Sequence, residues 1–223
     1  MIKNTKKNKD LIGMYYDGGN GGWYALWLAL LGTKYRCSFH NFKYKGDPIN
    51  NKLYEYTWNK KSSRHWAFHE IEVDYNDTIS STYIDHGILL ECNDNKYIDI
   101  VNKKIVIYAD IYTQCLLSIE KHSGIGLFTH TDVTNKDKLI ECAHYLSTLI
   151  PAVEYNGKQI SYYYKSQVNI DEADAAFDLV ELVKTNGKPL IEFLQGDTNL
   201  PILKKFTKHY IQQHQLTCQE LFT

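Results

Sequence analysis

The sequence predicts a mixed α+β fold in which a buried helix near the amino terminus packs on a small antiparallel sheet. Three observations lead to this prediction. A glycine-rich turn precedes a wholly apolar segment, three β-prone runs lie between residues 84 and 112, and helical spacing prevails further along the chain. We therefore divide the chain into a core at 1–118 and a mostly helical extension at 119–223, which is either a subdomain or part of the same domain.

The apolar segment from Trp23 to Leu31 predicts a short buried helix. Its large residues recur at i, i+3, i+4, i+7 and i+8, and the positions between them are also apolar. A helix without a polar face is buried on all sides. Asn20 is a suitable N-cap and Gly32 a suitable C-cap, so the helix is expected to begin directly after the glycine-rich turn.

The β-prone runs predict the antiparallel sheet. Ile84–Cys92 and Lys96–Val101 flank the turn residues Asn93–Asn95, which is the pattern of a hairpin. Lys104–Tyr112 provides a third strand, and residues 11–16 form either a short strand or an apolar anchor. An earlier run at Trp66–Asp74 alternates like a strand, with a change of phase that would mark a bulge.

Helical spacing dominates the second half of the chain, although residues 159–169 form a tyrosine-rich strand or loop. The predicted helices are Lys136–Leu149, Ile170–Val183, Lys188–Gln195 and Leu200–Leu216. Acidic residues in the first turn of the second of these helices suit the positive end of the helix dipole.

Composition excludes several classes of function. The net charge of −1 gives no basic surface for nucleic acid, and no apolar run of about 18 residues exists to span a membrane. Five cysteines without a C-x-x-C pair argue against a disulfide framework and a zinc site, and indicate a reducing, cytoplasmic location. We expect no metal and no cofactor. A carboxy-terminal signal for secretion into a host cell would escape these rules.

The glycine-rich turn before the helix suits either an anion or a catalytic nucleophile. Phosphate binding would use the free N–H groups of the helix start, but neither G-x-x-x-x-G-K-[ST] nor G-x-G-x-x-G is present. Cysteine hydrolases instead place a thiolate at such a position, because the helix dipole and the free N–H groups lower the thiol pKa and stabilise an oxyanion.

The segment Gly19–Leu26 resembles the helix-start motif of ovarian-tumour deubiquitinases, D-G-N-C-[GL]-[FY]-R-A-[LI]. It is also similar to the G-D-G-N-C-S-G motif of bacterial effector glutamine deamidases, which share the papain-like fold. The resemblance covers about Tyr15–Asp110 and implies that the nucleophile stands at position 21. This chain has Gly21 there, and Asp17 is displaced by one residue from the aspartate of the motif.

A histidine and an aspartate follow in the order that the resemblance implies. His86 opens the apolar run Gly87–Cys92, and Asp99 lies in the next β-prone run. In a hairpin the two would face each other, so Asp99 would orient His86 as a general base. The competing interpretation is that His86 is a satisfied structural residue. A second candidate base is His65, followed by the aromatic Trp66.

The resemblance implies a papain-like cysteine hydrolase that acts on ubiquitin, a ubiquitin-like modifier or a glutamine of a host protein. Its catalytic positions would be 21, 86 and 99. Further residues are expected to bind the substrate, namely Asp17, Asn20, Gly22, Trp23, His65 and Trp66. Because glycine has no nucleophilic side chain, the alternative is a non-catalytic pseudoenzyme or inhibitor that sequesters a protein partner. A third hypothesis treats the glycine turn as purely structural.

Overall fold

The computed structural model describes residues 10–17, 22–33, 35–38, 87–92, 101–121 and 135–222. The strands are β1 (Asp10–Tyr15), β2 (Tyr35–Ser38), β3 (Gly87–Cys92), β4 (Lys103–Tyr108), β5 (Ala152–Tyr155), β6 (Lys158–Ser161) and β7 (Ala175–Asp178). The α-helices are α1 (Gly22–Gly32), α2 (Ile111–Lys121), α3 (Lys136–Ser147), α4 (Tyr163–Ser166), α5 (Leu179–Lys184), α6 (Lys188–Phe193), α7 (Pro201–Gln213) and α8 (Gln215–Phe222). Among the described helices, none combines the length and apolar character that a membrane span requires.

The main sheet has five parallel strands in the order β2-β3-β1-β4-β7. Along β4, Ile105 and Ile107 belong to one apolar cluster, while Val106 and Tyr108 belong to another. The central strands are therefore covered on both faces, as is usual for parallel sheets. One face packs on α1, and the other packs on β6 and α4.

The prediction that β3 belongs to an antiparallel sheet is wrong. β3 has β1 on one side and β2 on the other, and both pairings are parallel, so β3 has no free edge for a hairpin partner. The rest of the predicted hairpin, at 93–100, lies outside the described residues. The only antiparallel pair among the described strands is β5 with β6, joined by Asn156 and Gly157 at φ of 49° and 73°. Positive φ at both central residues is the geometry of a tight hairpin turn.

The predicted helix at 170–183 is also wrong. A short 3₁₀ turn (Ile170–Glu172) comes first, β7 follows, and only then does α5 begin. Pairing of β7 with β4 overrides the local helical pattern. The β-prone run at 104–112 ends as a strand at Tyr108, and the helix α2 that follows was not predicted. Since β4 and β7 lie on opposite sides of residue 118, the sheet joins both parts of the chain.

The predicted helices at 23–31, 136–149 and 188–195 are confirmed as α1, α3 and α6. The predicted helix at 200–216 is confirmed as α7 up to Gln213, where α7 ends, and α8 begins at Gln215. Helix α1 is buried, with Ala25, Leu26 and Leu28 fully enclosed. It lies between the sheet and the carboxy-terminal helices. The Tyr24 ring stacks on Tyr210 at 4.4 Å and on Phe206 at 5.6 Å between ring centroids. The mixed α+β class is therefore correct, with a parallel main sheet.

Candidate functional site

The start of α1 lies beyond the carboxyl end of β1. Asp17 follows this strand by two residues, and Gly22 is the first residue of the helix. In open parallel sheets, ligands bind outside the carboxyl ends of the strands. This edge of the sheet is therefore the first place to look for a site, and Asp17 and Gly22, which are described, lie there.

Asp17 is held in place by residues far away in the sequence. The side-chain amide of Gln114 donates to Asp17 Oδ2 at 2.6 Å, and the backbone N–H of Asp17 donates to the Tyr164 hydroxyl at 3.4 Å. Gln114 is only 6% exposed, and its Oε1 atom has no hydrogen-bond partner among the described residues. Gln114 therefore fixes the Asp17 carboxylate and leaves one buried acceptor beside it. Gln114 was not predicted, because the sequence analysis predicted no helix over its position.

Two further aspartates at this edge have local structural roles. Asp110 accepts from the backbone N–H of Thr113 at 2.9 Å and from its hydroxyl, in the first turn of α2. Asp178 caps α5 and also accepts from Lys158 Nζ at 2.8 Å. Helix caps satisfy backbone donors that would otherwise lack partners. The Asp17 carboxylate differs in accepting a hydrogen bond from the side chain of Gln114, which is distant in the sequence.

The first residue of α1 requires a glycine. A Cβ atom at Gly22 would overlap the Tyr16 ring. The ring lies against the backbone at the helix start, so the position tolerates no side chain without movement. The predicted substrate-binding residues Asp17 and Gly22 therefore lie at the same edge of the sheet. Trp23 lies in the first turn of α1, where the structure describes its backbone but not its side chain.

The remaining predicted site residues lie outside the described part of the chain. They are Gly21, His86 and Asp99 of the proposed catalytic set, and Asn20, His65 and Trp66 of the substrate-binding set. Their convergence on one pocket stays a prediction. Gly87 pairs with Asp10 at the end of the sheet where the parallel strands begin. Gly22 starts α1, which follows the carboxyl end of β1.

The buried thiols of Cys115 and Cys218 lack the electrostatics of a nucleophile. Burial, with a smaller contribution from Asp110, raises the pKa of Cys115 to about 11. Burial, with a smaller contribution from Glu120, raises the pKa of Cys218 to about 12. A nucleophilic cysteine needs the opposite shift. Within the described ranges, no three metal-binding side chains come together either.

A second candidate surface lies among the carboxy-terminal helices. An open groove of about 970 Å³ runs between the end of α5, α7 and α8, and we call it the lysine groove. Its charged residues are Lys184, Lys204 and Lys208, and no acidic side chain of the described chain lines it. Its apolar surface includes Ile211 and Phe222, of which Phe222 is 38% exposed.

The lysines of this groove form no ion pair within the part of the chain that the structure describes. All three are exposed. The Lys184 ammonium lies 5.7 Å from the centroid of the Phe222 ring. The sequence contained a signal for this surface, since Lys204, Lys208 and Ile211 recur at i, i+4 and i+7 within a predicted helix.

Comparisons of the chain with known protein families, with curated proteins and with solved structures found no match.

Proposed function

We propose that this chain is a non-catalytic binding protein that holds a protein partner in the lysine groove. The observation that carries the proposal is the groove itself. It combines an open apolar surface with three lysines that no described residue neutralises. Apolar contact surface flanked by polar or charged groups is the usual composition of a protein interface.

Two further observations favour binding over catalysis. Position 21, where the resembling enzymes carry their cysteine, is a glycine. The buried thiols of Cys115 and Cys218 have raised pKa values, so at neutral pH they stay protonated. The chain would then keep a binding surface without performing nucleophilic attack.

The variant Gly21→Cys tests whether the helix start supports cysteine chemistry. We expect it to be inert towards ubiquitin chains, to release no ammonia from protein glutamine, and to remain unlabelled by ubiquitin carrying a thiol-reactive carboxy terminus. Rapid labelling, abolished by a further His86→Ala change, would instead favour the papain-like cysteine hydrolase. Circular dichroism of the variant confirms that a negative result does not come from unfolding.

The binding half of the proposal is tested by comparative capture. Proteins retained by the immobilised wild-type chain are quantified against those retained by Lys204→Glu/Lys208→Glu and by Lys205→Glu. Lys205 is exposed on the same helix but does not line the groove. A partner lost only with the double variant, and unaffected by His86→Ala, supports the proposal. A partner retained equally by all variants contradicts it.

A further inference from the structure

The lysine groove also constrains the chemistry of its occupant. Resting on the proposed function, we infer that the partner presents an amphipathic helix whose apolar stripe is flanked by Asp or Glu residues. Such a helix lays its apolar face in a groove and leaves its charged flanks at the rim. The inference follows from the order of charged and apolar residues across the groove.

Helix α7 supplies one wall of the groove. Lys204, Lys208 and Ile211 are spaced by one helical turn, so they form a single stripe along the helix. The lysines are exposed, whereas Ile211 is partly buried and packs against the core. Charge therefore lies at the rim of this wall, and apolar surface lies further along the same stripe.

The other walls repeat this pairing of charge and apolar surface. Lys184, at the end of α5, places its ammonium near the Phe222 ring of α8. Positive charge thus comes from two separate helices, and apolar surface comes from α7 and α8. An occupant with acidic residues on both sides of an apolar stripe matches this arrangement better than one with a single charged end. A fatty acid has one carboxylate and would leave the lysines of one helix unpaired.

A second copy of this chain is a poorer occupant. Two carboxylates of the exposed acidic run at Asp171–Asp174 already have partners within their own chain. Asp171 pairs with Lys165, and the Asp174 carboxylate accepts from the backbone N–H of Lys104 at 2.7 Å. Nucleic acid is also disfavoured, since Phe222 is the one aromatic residue of the described chain that lines the groove, and successive bases would need several rings to stack on.

The test uses a synthetic peptide of about 18 residues, long enough to form a helix, with leucines at i, i+3, i+4 and i+7 flanked by glutamates. Fluorescence anisotropy measures its affinity for the full chain. We expect Lys204→Glu and Lys208→Glu each to weaken binding about fivefold, as reversal of one exposed charge pair would do. Lys205→Glu should change the affinity by less than about twofold, and added salt should weaken wild-type binding.

Phe222→Ser gives an independent check of the apolar contact, and circular dichroism confirms that each variant is folded. We expect this variant to weaken binding while leaving the salt dependence unchanged. Equal binding of a peptide with lysine in place of glutamate overturns the inference. A loss of peptide affinity from Lys205→Glu equal to that from Lys204→Glu overturns the inference too. So does binding of phosphatidylserine vesicles, of an oligonucleotide or of a second copy of the chain that depends on Lys204 and is stronger than binding of the acidic peptide.

The two proposals can fail separately. If Gly21→Cys is inert but the acidic peptide does not bind, the chain remains a candidate binding protein with a different kind of partner. If Gly21→Cys becomes a hydrolase, the non-catalytic function is wrong whatever the peptide does.

Discussion

The helix that forms one wall of the lysine groove depends on a carboxylate from another part of the fold. Glu120 lies near the end of α2 and accepts from the backbone N–H groups of Leu216 at 2.9 Å and Thr217 at 3.1 Å. These N–H groups are in the first turn of α8, where backbone donors have no partner within the helix. His214 Nδ1 lies 3.7 Å from Glu120 Oε2. Glu120 therefore caps α8 from outside.

We expect Glu120→Gln to reduce the free energy of unfolding by about 2 kcal/mol at neutral pH. Hydrogen bonds to a charged group contribute about 1.5–3 kcal/mol, and a negative charge at a helix start adds about 0.3–1 kcal/mol. The amide keeps one acceptor atom, so only part of this sum is lost. Urea unfolding followed by circular dichroism measures the difference. Glu141→Gln, at an exposed position of α3, is the matched control and should change stability little.

The loss of stability caused by Glu120→Gln should depend on pH. Burial opposes ionisation of Glu120, but the nearby His214 ring and the hydrogen bonds from the N–H groups of Leu216 and Thr217 outweigh it and hold the Glu120 pKa below its usual value. A lowered pKa stabilises the folded state above the ordinary carboxyl pKa, and this contribution is lost as pH falls through the folded value. Cys218, nearby, stays neutral over this range because its pKa is about 12. The wild-type advantage should therefore shrink in acid. If the stability difference between the wild type and Glu120→Gln stays constant from neutral pH to below about pH 4, the Glu120 carboxylate does not cap α8 in its charged form.

Two other predictions concern the helix start and the thiols. Gly22→Ala should lower the melting temperature, because overlap with the Tyr16 ring costs about 1–3 kcal/mol and exceeds the gain of about 1 kcal/mol in helix propensity. An unchanged or higher melting temperature would contradict the close contact. Alkylation of the folded protein at neutral pH should modify half-buried Cys142 before Cys115 and Cys218, which are buried. Peptide mass mapping measures the order, and early modification of Cys218 would show that its site opens.

The sequence predicted those elements whose pattern is local. Helix α1 was predicted because the segment from Trp23 to Leu31 has no polar face, which leaves burial as the only stable arrangement. Helices α3 and α7 were predicted from apolar spacing. The strand partners were not, because Gly87 pairs with Asp10 and Ile105 pairs with Ala175. An apolar run indicates burial on both faces without specifying which distant segment lies beside it.

The sequence also did not show which distant residues come together at the candidate site. Asp17 and Gly22 were predicted because they belong to one short motif. Gln114 and Tyr164 were missed because they reach Asp17 only after β4 has paired with β1 and the following chain has folded over the sheet. The lysine groove was missed for a similar reason. Its stripe on α7 is visible in the sequence, but its facing walls come from α5 and α8.

The late position of β7 has a consequence for synthesis of the chain. β4 lacks its outer neighbour until residues 175–178 have left the ribosome, and Tyr24 of α1 lacks its cover until Phe206 and Tyr210 follow. A nascent chain that ends before these residues therefore exposes both an unpaired strand edge and a wholly apolar helix, two features that promote aggregation. The amino-terminal part should consequently need shielding by a chaperone until the last helices are made, and fragments that stop near residue 118 should be insoluble.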